Sequence, residues 1–173
     1  MAHLLVHKKL KNMACTFTQN IGLECKDGIG GIKQIWVGDY ATNLPYVSVL
    51  NGTATVDTDN YDGIIVELPP QTGSFEETIN FNRDNGTVFY TQTINIMLHK
   101  LSLTKRNELS AVAQSRVMVI VTDNNGNDWL CGYEMPLDLS TATASTGKAL
   151  GDLNGYTLAF VGESPNRAYS TSI

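Results

Sequence analysis

The stretch SFEETINFNRDNGTVFYTQTINIML, residues 74–98, alternates with a period of two on both sides of Asp84-Asn85-Gly86. Phe75, Glu77, Ile79 and Phe81 share one parity on the first limb, and Tyr90, Gln92, Ile94 and Ile96 share one on the second. Successive side chains of a strand point to opposite faces, so the stretch is predicted to be a hairpin with one buried and one wet face. With Asn85-Gly86 as a two-residue turn, Phe81 faces Tyr90, Ile79 faces Gln92, Glu77 faces Ile94 and Phe75 faces Ile96. A four-residue loop from Arg83 to Gly86 keeps the same faces. The wet face then carries Glu76, Thr78, Asn80, Thr91, Thr93 and Asn95, and a one-residue slip would mix the two sets. Gln92 and Glu77 are polar misfits on the apolar side and are expected at the edges of the buried patch.

Around this hairpin the chain is a succession of short β-type runs broken by Gly, Asn, Asp and Pro. Residues 32–37, 45–50, 53–56 and 64–68 precede it, and Asn51-Gly52 suits a type I′ turn because both residues tolerate positive φ. Residues 116–122 and 128–135 form a second hairpin across the Asn-rich turn at 123–127, and residues 156–162 supply a last strand. One helix is predicted over residues 103–115, with Thr104 as N-cap and Leu109, Val112 and Ala113 as its apolar stripe. About nine strands and one flanking short helix make the expected class mainly β, a β-sandwich or barrel. Residues 13–173 are expected to be one domain, with a long loop at 137–154 and a C-terminal arm at 163–173; residues 1–12 are expected to be an extension or mobile arm. Met13 is an alternative translation start.

Of the 173 residues, 12 are Lys or Arg and 17 are Asp or Glu, a net charge of -5. Lys8, Lys9 and Lys11 fall in the first twelve residues, which hold no acid, so the remainder carries nine basic against seventeen acidic residues. Such a body is unsuited to gripping nucleic acid by phosphate neutralisation. The longest apolar runs, Leu4-Leu5-Val6 and Val117-Met118-Val119-Ile120-Val121, are far short of the roughly 20 residues of a helical membrane span, which predicts a soluble protein. No secretory pattern is present, because the apolar run precedes the lysines. Cys15, Cys25 and Cys131 form no CxxC pair and no even set, which argues against a disulfide scaffold or cysteine-based zinc site.

Catalytic chemistry finds little purchase. Gly28-Ile29-Gly30-Gly31 matches no phosphate-loop pattern and precedes a strand. His99 is the one histidine beyond the first twelve residues and no GxSxG serine accompanies it, so no catalytic residue is assigned and the chain is read as a non-enzyme. Glu76 and Glu77 point to opposite faces and cannot flank one bond. Asp57, Asp59 and Asp62 have a calcium-loop composition without the closing glutamate and are read as an acidic turn. His3 and His7 could share a helical face, but a solvated end is the plainer reading; no metal or cofactor is expected. Asn51-Gly52-Thr53 and Asn85-Gly86-Thr87 fit the glycosylation pattern, which carries little weight without a secretory signal. Between Gln34 and His99 the single basic residue is Arg83, whereas eight residues are acidic. This half repels phosphate. Lys100, Lys105, Arg106 and Arg116 give the helix region the one basic area of the body.

The segment GKALGDLNGYTLAFVGESPNRA at 147–168, with GLECKDGIGGIKQIW at 22–36, resembles tail tube proteins of tailed bacteriophages that infect Bacteroidetes-type hosts. The resemblance implies a virion protein of the phage tail, assembled in the host cytoplasm, with a β-sandwich or barrel core and one flanking helix. It implies hexameric rings that stack into a tube and line a channel with strands, through which genomic DNA passes during ejection without specific binding. The partners implied are other copies of the chain and tail proteins such as sheath, tape measure or terminator. On that resemblance Glu76, Thr78, Asn80, Asp84, Thr91, Thr93 and Asn95 are candidates for the channel lining. Lys105, Arg106 and Arg116 are candidates for subunit or outer-surface contacts. Two alternatives stand beside it: a neck or stopper protein of the same virion, and a β-sandwich carbohydrate-binding module using Trp36, Tyr40, Tyr46, Tyr61 and Trp129.

Overall fold

The computed structural model describes residues 21–23 and 26–173. The readings placed on residues 1–12, on His3, His7 and Met13, and on Cys15 and Cys25 lie outside the described residues. The chain is mainly β, a sandwich of two sheets with small helices. One sheet has seven strands in the order β2 (Val47–Leu50), β3 (Thr53–Val56), β11 (Tyr169–Ser172), β8 (Asp128–Cys131), β7 (Val117–Asp123), β1 (Ile32–Asp39), β4 (Gly63–Glu67). The other has four: β5 (Gly73–Asn82), β6 (Thr87–His99), β10 (Gly155–Ser164), β9 (Asp138–Ser145). All pairings are antiparallel except β11 with β3.

The apolar run of β7 is continuous because the strand is buried on both faces. Val117, Val119 and Val121 join Ile94, Leu158 and Phe160 in the core between the sheets. Met118 and Ile120 turn the other way, into a second cluster with Val56, Tyr61 and Leu130. That outer cluster is roofed by the short α1 (Tyr40–Asn43) and the loop at 57–62. The buried Asn43 amide ties the two, donating to the carbonyls of Asp39 and Asp62 and accepting from Asp62 N–H at 2.7 Å. Tyr61 donates its hydroxyl to the Met118 carbonyl at 3.0 Å, and burial pushes its pKa well above the usual tyrosine value.

The type I′ reading of Asn51-Gly52 matches the backbone, with φ of 53° and 82°. The residue 74–98 hairpin forms with its faces as read but two residues away in register: Ile79 faces Tyr90, Glu77 faces Gln92 and Phe75 faces Ile94. The physical reason is the turn, in which Asn82 pairs with Thr87 and its side-chain oxygen accepts from Asp84 and Asn85 N–H, so the loop is the four-residue one. The apolar face is covered only along its first half. Because β10 pairs with β6 no further than Tyr90, the tip projects, and Ile79, Phe81 and Val88 are exposed, Phe81 at 78 %.

Two segments read as irregular are strands. Residues 138–145 of the expected loop form β9, and the expected C-terminal arm holds the end of β10 and all of β11. The helix α2 (Leu103–Gln114) is capped by Ser102, whose hydroxyl accepts from Lys105 N–H, rather than by Thr104. Leu109 and Val112 pack on the core with Leu101, whereas Ala113 faces solvent.

Candidate functional site

The polar residues singled out in the hairpin share one face of the four-stranded sheet, the face turned away from the core. Glu76 pairs with Thr93, Thr78 with Thr91 and Ser74 with Asn95. Asn80 sits opposite Phe89, and its amide donates to the Thr91 hydroxyl at 2.7 Å. Glu76, Thr78 and Asn95 are exposed, and Asn80, Thr91 and Thr93 are half-buried by their neighbours along the sheet. Asp84 is not on this face: it lies in the turn at the projecting tip.

The same face continues across β10, where a strand was expected, and across β9, which falls in the expected loop. Because cross-strand partners share a face, Glu163 beside Thr91, Thr157 beside Met97 and Ala159 beside Asn95 extend it along β10. Thr143 beside Thr157, Ser145 beside Gly155 and Asp138 beside Val161 extend it along β9. The surface is therefore mostly threonine, serine and asparagine, with apolar Phe89, Met97, Ala159 and Val161 interspersed. Its charges are the carboxylates Glu76, Asp138 and Glu163, and these strand positions include no lysine or arginine. Glu163 was visible in sequence only as part of a polar tail. Asp138 and the β9 hydroxyls were hidden in a Ser/Thr/Ala run with no apolar alternation.

Both long edges of this sheet, β5 and β9, are unpaired among the described residues. The gap between the sheets on the β5 side is crossed by the two polar misfits. Gln92, 2 % exposed, accepts from Gly132 N–H at 3.0 Å, and Glu77 accepts from Ala168 N–H. Gln92 thus lies deep in the core instead of at its edge. There it receives the backbone N–H of Gly132, the residue that follows β8 and turns the chain at φ +79°. Cys131 beside it is fully buried, and burial, with the Glu77 charge adding to it, pushes its thiol pKa far up. Such a thiol is inert packing. Asp123 faces the same side of the sandwich. Partial burial opposes its ionisation, but hydrogen bonds from Asn127, Asn125 and Trp129 outweigh this and hold its pKa below the usual carboxylate value.

The three basic candidates are spread out. Lys105 Nζ donates to the carbonyls of His99 and Lys100, closing the end of β6. Arg106 is exposed beside Ala144 and Tyr156. Arg116 is exposed past the other end of the helix, roughly 15 Å along its axis from Arg106 at 1.5 Å per residue. The aromatic residues of the carbohydrate alternative are not gathered on one platform. Tyr61 is buried edge-on against Trp36, with ring centroids 4.8 Å apart, Tyr40 packs on the same cluster, and Trp129 packs on the inter-sheet core. Among the described residues no group of three or more His, Cys, Asp or Glu could hold a metal ion, and no helix is long and apolar enough to cross a membrane. No family model matches the chain, and no curated protein or solved structure matches it.

Proposed function

We propose that the chain is a structural subunit of a phage tail tube, forming stacked hexameric rings whose channel conducts the genome during ejection. The observation that carries this reading is the four-stranded sheet: a hydroxyl- and amide-rich face with carboxylates as its charges, bounded by two edges that no described strand pairs. A free edge is an open template for pairing, and closing a sheet on itself removes it. The strands alternate in direction and are even in number, so copies related by rotation can continue the ladder from β9 of one to β5 of the next with every seam antiparallel. Six copies at a strand spacing of about 4.8 Å give a wall roughly 115 Å around and roughly 37 Å across, more with strand tilt, which leaves room for a duplex inside.

A face of this kind suits passage. DNA is held mainly through its phosphates by lysine and arginine, and a wall without them offers a moving duplex no series of traps. Tail partners such as sheath, tape measure and terminator would meet the outer sheet, α2 and the ends of the ring. In phage carrying Glu76→Lys and Glu163→Lys, two changes on the polar face, rings and tails are expected to assemble while DNA release after triggering slows. Assembly blocked with release unchanged in the particles that do form would place these residues in a subunit contact and overturn their role in the channel.

A further inference from the structure

The two edges of the four-stranded sheet differ in what stands beside them on the core side. Next to β5 runs a groove of about 580 Å³ whose walls include Phe75, Glu77, Trp129 and Ser170, and it leads past Phe75 and Trp129 toward Asp123. Next to β9 the first turn of α2 overhangs the edge: Leu103 and Arg106 stand beside Ala144 and Tyr156, with Leu103 73 % exposed. Both edges carry a hollow with apolar walls, and the one beside β9 is lined in part by the largely exposed Leu103.

Face matching restricts how the edges can meet. An outward residue of β9 must lie opposite an outward residue of β5, because a slip of one would turn Ala142 and Ala144 out of the wall. Residues 141–145, on one side of the bulge in β9, satisfy this when Ser145 lies opposite Ser74, which sets Ala144 opposite Phe75 and Thr143 opposite Glu76. The helix turn above Ala144 then lies on the hollow beside Phe75. Charge agrees, since Arg106 approaches a groove whose carboxylates, Glu77 and Asp123, outnumber its one cation, Arg167. We infer that the β5-side groove receives the first turn of α2 from the next copy of the chain, Leu103 covering Phe75 and Trp129 and Arg106 facing Glu77 and Asp123. This rests on the ring proposed above and names the contact that sets its seam.

The test is disulfide trapping. Leu103→Cys and Ser170→Cys are placed on separate chains in a Cys15→Ser, Cys25→Ser background, and the two are co-expressed, oxidised and sized. Both positions are exposed, so neither change disturbs the core. A disulfide-linked dimer is expected from the mixture, carried in the ring fraction, and absent from either variant alone. Rings without the mixed dimer would overturn this contact and leave the tube reading standing. A chain that forms neither rings nor the mixed dimer would overturn both.

Discussion

Gln92 and Glu77 show what a single side chain does when polarity pattern and depth disagree. Both share the apolar parity of the hairpin, and hydropathy alone assigns such residues to the rim. Their acceptors instead hold backbone N–H groups of the facing sheet, at the end of β8 and the start of β11. Nothing local announces this, because Gly132 lies 40 residues from Gln92. A buried donor stripped of its acceptor loses its full desolvation cost, about 1–3 kcal/mol. Gln92→Leu is therefore expected to lower unfolding free energy by about that amount in urea denaturation, despite adding apolar volume to the core. An unchanged midpoint would mean that Gly132 finds another partner. The hairpin's share of the polar face was legible by name, since parity within a strand survives an error of two in register. Asp84 was not, because its position depends on where the turn begins.

At the scale of elements, legibility follows contrast. Strands with apolar alternation, and β7 with its unbroken run, declare themselves. That run says only that both faces are covered, and the structure supplies the second cover as α1 and the loop at 57–62. Ile120, at 0 % exposure on the side away from the main core, is the sharpest test. Ile120→Ala is expected to cost about 2–5 kcal/mol, in the range of a core truncation, by denaturant unfolding. A loss within the roughly 0.5 kcal/mol typical of surface changes would show that the outer cluster is not packed. The strand β9 had no such contrast: Asp138–Ser145 is built of Ser, Thr and Ala around one leucine. It is an edge strand, covered on its core side by small residues and wet on the other, so burial writes almost no pattern into it. The strand β11 is four residues long and takes its parallel partner β3 from more than a hundred positions away, a pairing with no local signal.

For the whole molecule, the class could be read from the sequence because many short strands separated by turn residues, with one helix, leave few architectures. The division into seven and four strands could not, since strand order depends on crossovers. Yet that division gives the polar face its meaning: it gathers hydroxyls from four strands onto one surface whose two borders are unpaired among the described residues. In a tube, that surface must enclose a space. Electron microscopy of the purified chain tests this directly. The expected images show closed rings or tubes on the order of a hundred ångströms across, with the four-stranded sheets joined edge to edge around the opening. A particle that stays a lone subunit at every concentration, or an assembly with Thr78 and Thr93 buried between subunits, would contradict it.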